Sequence, residues 1–215
     1  MSSGNAHPRP ETERKRTDIL RAAIETFGTK GSVNGTLNDV AEQVGITHAG
    51  VLHHFGSKQN LLLEMLEFRD RDDVAHLASR RIPDGPALFA HLVATAQRNA
   101  QRPGIVQVYT VLSAESVTDE HPAKEFFEER YRTLRGEVAD AFRELCAQQG
   151  VTEPDTIAQA SASILAVMDG LQLQWLLDPD AVDLAGASEF AIETIVNGAL
   201  SRGPRLSSYL NDPLP

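Results

Sequence analysis

The chain has 215 residues, 41% apolar and 23% charged, enough to bury a sizeable core in one or two domains. Its single cysteine, Cys146, excludes an intramolecular disulfide and a cysteine-rich zinc site, and fits a reducing, cytoplasmic setting. A net charge of −10 and a pI near 5.1 argue at face value against nucleic acid, yet residues 1–60 hold seven Lys and Arg against six Asp and Glu, so the acid lies away from the N-terminus.

Residues 1–11 are polar and broken by proline, without the apolar stretch that a signal peptide or membrane span requires. They read as a disordered arm on a soluble chain with no membrane partner. Arg9, Arg14, Lys15 and Arg16 suit an arm that tracks phosphates or enters a minor groove, and equally a solvated charge run diluted by Glu11 and Glu13. Ile19, Leu20, Ala23, Ile24 and Phe27 then recur at helical spacing, with Gly28 and Gly31 as stop signals. Thr36 and Asp39 have the spacing of a capping box, a hydroxyl accepting from an orphan amide and a carboxylate three residues on. They open a short helix through Gln43 whose buried face is Leu37, Val40, Ala41 and Val44. Gly45 supplies a tight turn, and Thr47 caps a second short helix to about His54, with Val51 and Phe55 pointing inward.

Ser57 caps the next helix, a long connecting element over residues 58–81 that starts with Leu61, Leu62, Met65, Leu66 and Phe68. Pro83, Asp84, Gly85 and Pro86 break it and mark the best internal boundary. Beyond lie helices at about 86–101, 104–117, 122–149, 153–178 and 187–202. Residues 105–111 carry the β-branched content of a strand, but an isolated strand would have no partner, so this segment too reads as helix. The fold class is all-α.

Two short helices joined at one glycine, over residues 36–55, have the grammar of a helix-turn-helix, in which the second helix enters the major groove by its N-terminus. The same pattern also suits a helical hairpin inside a bundle. Further residues narrow this choice. Ile19-Leu20-Arg21-Ala22-Ala23, Phe27, Gly31, Thr36, Asp39-Val40-Ala41, Gly45-Ile46-Thr47 and His54-Phe55-Gly56-Ser57-Lys58, followed by Leu61-Leu62, resemble the N-terminal domain of the tetracycline-repressor (TetR) family in order and spacing. The stretch from Met168 to Pro179 resembles, more loosely, the penultimate helix of many members.

The resemblance implies a three-helix DNA-binding head at 12–57, the connecting helix at 58–81, and a ligand-binding, dimerising helical body at 82–215. It implies a sequence-specific transcriptional regulator, usually a repressor released from its operator by a small molecule. Thr47, His48, Ala49 and Gly50 match the N-terminal positions of the recognition helix, with His48 the leading candidate for base readout. His53 and Lys58 match phosphate-contacting positions and Thr36 a backbone contact, while Arg16 stands at the start of the first helix as the best member of the basic arm. Leu52 departs from the family, which usually places a tyrosine there; it suits a thymine methyl or a sugar instead. His53 and His54 are adjacent, so their side chains diverge by about 100° and do not easily share a metal ion.

Ile157, Ser161, Leu165 and Met168 mark one face of the penultimate helix, and Ile192, Ile195, Val196 and Ala199 one face of the last. Both stripes suit ordinary core. The resemblance implies that the two helices pair with their copies as a four-helix homodimer interface, which then reads a near-palindromic operator. For an effector, Met65, Phe68, Tyr109, Leu112, Phe127, Tyr131, Gln174 and Trp175 suit an apolar and aromatic pocket with a few polar groups, and each also suits plain core. Phosphate-binding, dinucleotide and nucleophile-elbow motifs and a Glu-x-x-His pair are missing, so no enzyme, catalytic residue, metal or cofactor is expected. Glu125, Glu128 and Glu129 read as a solvated face with Arg130 and Arg132 as partners. The alternative reading is a helical interaction protein, or a DNA binder that needs no ligand.

Overall fold

The structure is a computed structural model and describes residues 10–75, 77, 81–152 and 154–201. Every regular element among them is a helix: α1 Pro10–Asn34, α2 Leu37–Val44, α3 His48–Phe55, α4 Lys58–Val74, α5 Ala87–Asn99, α6 Pro103–Glu115, α7 Lys124–Gln149, α8 Ile157–Leu177 and α9 Leu184–Leu200. The β-branched segment 105–111 is helical. Pro103 opens α6 at a position where its missing N–H costs nothing, and Val106, Tyr109 and Leu112 bury a stripe at intervals of three.

Two expectations are corrected, and a third lies mostly outside the described residues. Gly28 does not stop the first helix; it stays helical and faces α6, where an added Cβ would lie 3.3 Å from the Val108 amide nitrogen. The helix continues to Asn34 across a kink at Gly31, whose φ of 71° and ψ of 176° belong to a region open essentially only to glycine. The long fourth helix ends at Val74 rather than at 81. The arm expected over 1–11 falls mostly outside the described residues, Arg9 included, and Glu11 is already helical.

Packing gathers the chain into two units. The first comprises the described residues up to Arg81 together with Arg98–Tyr131. Its core joins Ile19, Ala23 and Phe27 of α1 to Val40, Val51, Phe55, Leu61 and Met65, and to Val108, Leu112 and Phe127. Burying Phe27 completely contributes about 2–3 kcal/mol. The unit does change at 82, where the proline and glycine break stands, but Arg98–Tyr131 returns to the first unit, because α6 lies along α1 and belongs with the helix-turn-helix. A break in chain direction marks where a helix ends, not which core its successors join.

The second unit comprises Ile82–Gln97 and the described residues from Arg132 onward. Leu88, Leu92, Val138, Phe142, Ile164, Met168 and Ile192 form its core, with Phe89 edge-on to Phe142 at 4.9 Å and Cys146 buried beside them. α8 and α9 pack against each other. Among the described residues α8 alone is long and apolar enough to cross a membrane by length and composition, with mean hydropathy 1.2, a property that core helices share. Its Ile157, Ile164 and Met168 are part of this core.

Candidate nucleic-acid interface

The helix ends of the helix-turn-helix are set by local hydrogen bonds. The Thr36 hydroxyl accepts from the Asp39 amide at 3.1 Å, and the Asp39 carboxylate accepts from the Thr36 amide at 2.8 Å, closing the capping box. Lys30 of α1 donates to the same carboxylate at 2.8 Å. Gly45 ends α2 in the left-handed conformation, φ 67°, and its N–H turns back to Ala41 and Glu42 carbonyls. The Thr47 hydroxyl then accepts from the Gly50 amide at 3.1 Å and opens α3, while the Ser57 hydroxyl accepts from the Asn60 amide at 3.1 Å and opens α4. Val51 and Phe55 anchor α3 in the core.

The Lys30 hydrogen bond, followed by those from the Thr36 hydroxyl and amide, holds the Asp39 carboxyl at about 2, below its ordinary value of 3.8. A depressed folded-state pKa stabilises above the unfolded value and ceases to as pH falls through the folded one. The cap contribution is therefore intact above about pH 4 and disappears toward pH 2. A carbon-detected NMR titration of Asp39 checks this; a midpoint near 4 would show that the capping box does not hold in solution.

The outward surface of α3 presents Thr47, His48, Ala49 and His53, all exposed, with Gly50 half-buried between them. Thr36 is exposed at the start of α2. Leu52 is half-buried and packs partly against the core, so only its outer edge faces solvent. Lys58 is half-buried, its ammonium 5.7 Å from the centre of the Phe27 ring. His54 is half-buried; burial foremost, then the charges of His53, Arg16 and Lys15, push its imidazole pKa below the ordinary value. It is therefore neutral at pH 7.

Arg16 is not a member of a free arm. Its guanidinium donates to the His54 carbonyl, pairs with Glu64 and lies 4.4 Å from the centre of the Phe55 ring. It ties α1 to the last turn of α3 and to α4. Sequence pattern missed this role because its partners lie 38 and 48 residues away.

The effector candidates separate. Met65, Phe68, Tyr109, Leu112, Phe127 and Tyr131 join the aromatic and apolar cluster of the first unit, with Met65 and Leu112 fully buried. Gln174 is exposed and Trp175 buried in α8, within the second unit. Arg130 does not serve the acidic face of α7; it pairs with Asp70 and donates to the Tyr109 hydroxyl at 3.3 Å. A depression of about 510 Å³ between α1 and α2 mixes Lys15 and Arg21 with Asp18 and Glu25, and so favours no one ligand charge.

The residues expected at a dimer interface divide into a buried set and a half-buried set. Ile157, Met168 and Ile192 are core of the second unit, Ser161 and Leu165 are buried, and Ile195, Val196 and Ala199 pack partly against that core. Periodicity identified an apolar face that is buried within the protomer on α8 and, past Ile192, only half-buried on α9. The large apolar residues that α8 and α9 leave exposed are Leu173, Leu177 and Phe190, at 48%, 78% and 71%.

Residues 19–65 match the family model for bacterial regulatory proteins of the tetR family, and residues 86–197 match that for the C-terminal part of BetI-type transcriptional repressors. This chain belongs to the TetR family. It is a helix-turn-helix DNA-binding regulator of the repressor type, in a family of transcriptional regulators rather than enzymes. The HTH-type transcriptional regulator BetI of Agrobacterium fabrum is 30% identical to it over 177 residues, which are 80% of this chain and 82% of that relative. The HTH-type transcriptional regulator TtgR of Pseudomonas putida is 25% identical over 201 residues, 86% of this chain and 90% of its own. The complex of SmeT with triclosan shares the fold at a TM-score of 0.72 and 19% identity, covering 94% of this chain and 99% of that one. In this TetR-family chain, α2 and α3 are thus the helix-turn-helix pair.

Proposed function

We propose that the chain acts as a cytoplasmic homodimeric repressor that reads a near-palindromic operator through α3 and leaves it when a small organic effector binds. The exposed, capped N-terminus of α3, held by Val51, Phe55 and Arg16, is the observation that carries this reading. Thr47, His48, Ala49 and Gly50 enter the major groove, with the imidazole of His48 reading a base edge and the Ala49 methyl touching a thymine methyl. Thr36, His53 and Lys58 grip sugar and phosphate, and Leu52 rests on a sugar or thymine methyl. Arg16 supports α3 from behind.

One short helix reads few bases, whereas a two-fold dimer reads two half-sites about 34 Å apart or a multiple of that spacing. Leu173, Leu177 and Phe190 give α8 and α9 an apolar surface for that pairing. An effector lowers operator affinity by the difference in its binding to the two spacings of the heads. Triclosan bound to SmeT supports a small organic ligand for this fold.

Selection of random DNA by the full chain at physiological salt, with competitor DNA, tests the reading. Enrichment of a near-palindrome supports it, and a folded, dimeric chain that enriches nothing overturns it. On the enriched site, His48→Ala relaxes preference at one position per half-site by about 1–3 kcal/mol, while Lys58→Ala weakens all sequences alike and lowers the salt slope by about 1. Competition binding across single-base operator variants at several salt concentrations separates the two effects.

A further inference from the structure

α4, the α5–α6 junction, α6 and the start of α7 hold an ionic network that the DNA-reading surface does not use. Arg69, 4% exposed, places its terminal nitrogens 3.0 Å from Asp70 and 3.3 Å from Asp73. Arg102 reaches Asp72 and Asp73 at 2.8 Å each and donates to the Asn99 carbonyl oxygen at 3.1 Å. Arg130 pairs with Asp70. Asp73 thus bridges Arg69 and Arg102, with Asn99 beside them.

Two features of this network select a ligand. An aromatic cluster normally suits a cation, but the Tyr109 ring already has the Arg69 guanidinium 4.4 Å from its centre and that of Arg130 at 5.5 Å. Asp70, Asp72 and Asp73 are all paired with arginine, so an incoming ammonium would have to displace a guanidinium. The second feature is a surplus of donors. Arg69 Nε, Arg102 Nε and Asn99 Nδ2 are buried without a hydrogen-bond partner, and Asn99 is 0% exposed. A buried donor left unmade is expensive, and each such group in a folded protein calls for an acceptor.

The geometry points to this network as a binding site for an organic monocarboxylate. The carboxylate oxygens accept from Arg69 Nε, Arg102 Nε and Asn99 Nδ2, in the charge-assisted manner that guanidinium favours. The apolar body follows the rings that lead away from Tyr109, through Phe127 at 5.3 Å to the partly buried Phe126 and Tyr131. This rests on the effector reading above and gives that effector a chemical class.

Calorimetry and thermal melting of the full chain without DNA test it, with benzoate, 3-phenylpropanoate and octanoate, each beside its amide, and with phenethyltrimethylammonium. The expected result is that at least one carboxylate binds about tenfold or more tighter than its amide and raises Tm, while the ammonium does not bind. Asn99→Asp, an isosteric change, places an acceptor of the chain's own against the arginines. It is expected to abolish carboxylate binding with operator selection retained. The assignment is overturned if none of the carboxylates binds up to about 10 mM, if the ammonium or the amides bind as tightly, or if a folded Asn99→Asp chain binds carboxylate like the parent. Should that variant not fold, the ligand series on the parent chain decides alone. Because binding is read without DNA, a chain that selects an operator but ignores carboxylates refutes the ligand class only, and one that binds carboxylate but selects no DNA refutes the repressor reading only.

Discussion

Replacing Arg16 by Met lowers the stability of the first unit by about 2–3 kcal/mol and leaves the salt dependence of operator binding unchanged. The side chain does three jobs at once. It satisfies the His54 carbonyl in the last turn of α3, where no intrahelical donor follows, and losing that bond costs most. It rests on the Phe55 ring, a smaller contribution, and pairs with Glu64 in a half-exposed ion pair worth little. Methionine keeps the apolar stem but restores neither the donor nor the charge. Operator affinity falls because the C-terminal turn of α3 loosens, not because a phosphate contact is lost. Urea unfolding and salt-dependent operator binding decide between the two accounts. Unchanged stability with a salt slope reduced by about 1 would return Arg16 to the basic arm.

Gly31→Ala has a larger expected effect, a loss of about 3–5 kcal/mol in urea or thermal unfolding. At φ 71° and ψ 176° any side chain meets backbone strain of about 1–3 kcal/mol. A methyl at this position also overlaps the Glu115 carboxylate. That carboxylate cannot simply move aside, because it accepts from the Ser32 amide at 2.8 Å and lies 3.7 Å from His121 Nε2. The His121 ring is fixed in turn. Its Nδ1 accepts from the Ala123 amide at 3.2 Å, which leaves Nε2–H to donate to the Ser32 hydroxyl at 2.9 Å. Combining Gly31→Ala with Glu115→Ala removes the overlap and recovers only that part of the loss, since the φ penalty remains. A double variant as stable as Glu115→Ala alone would show that Gly31 is not held at positive φ. The kink matters for DNA reading because it directs the chain into Thr36 and the start of α2, with the Gly35 amide bonded to the Gly31 carbonyl at 3.1 Å.

The expectations that succeeded and those that did not differ in how far apart the interacting residues stand. Arg69 and Asp73 continue the stripe of Leu62, Met65 and Leu66 at helical spacing, and that continuation was the one available sign that charged groups are buried on α4. Even so, nothing in α4 announces Arg102 as the partner of Asp73 or Arg130 as that of Asp70, 29 and 60 residues on. Arg130 sits among glutamates in sequence, and local charge patterning assigned it to them. The stripe of Ile157, Ser161, Leu165 and Met168 shows the same limit, because apolar spacing says that a face is buried without saying by what.

What the sequence by itself determined is the local grammar: Thr36 with Asp39, Gly45, Thr47 and Ser57 mark where α2, α3 and α4 begin and where α2 ends, because each acts on backbone groups within four residues of itself. The apolar stripe of α1 was legible for the same reason, since a helix repeats its face every three or four positions, whereas α6 read as helix only because a lone strand would have no partner. Only the tertiary structure decided that α6 joins the core of the head, that Arg16 braces α3, and that the dimer-candidate residues of α8 face their own protomer. Those outcomes depend on which distant surfaces satisfy one another's apolar area and charge. Sequence spacing encodes the need for a partner, whereas packing alone selects which partner meets it.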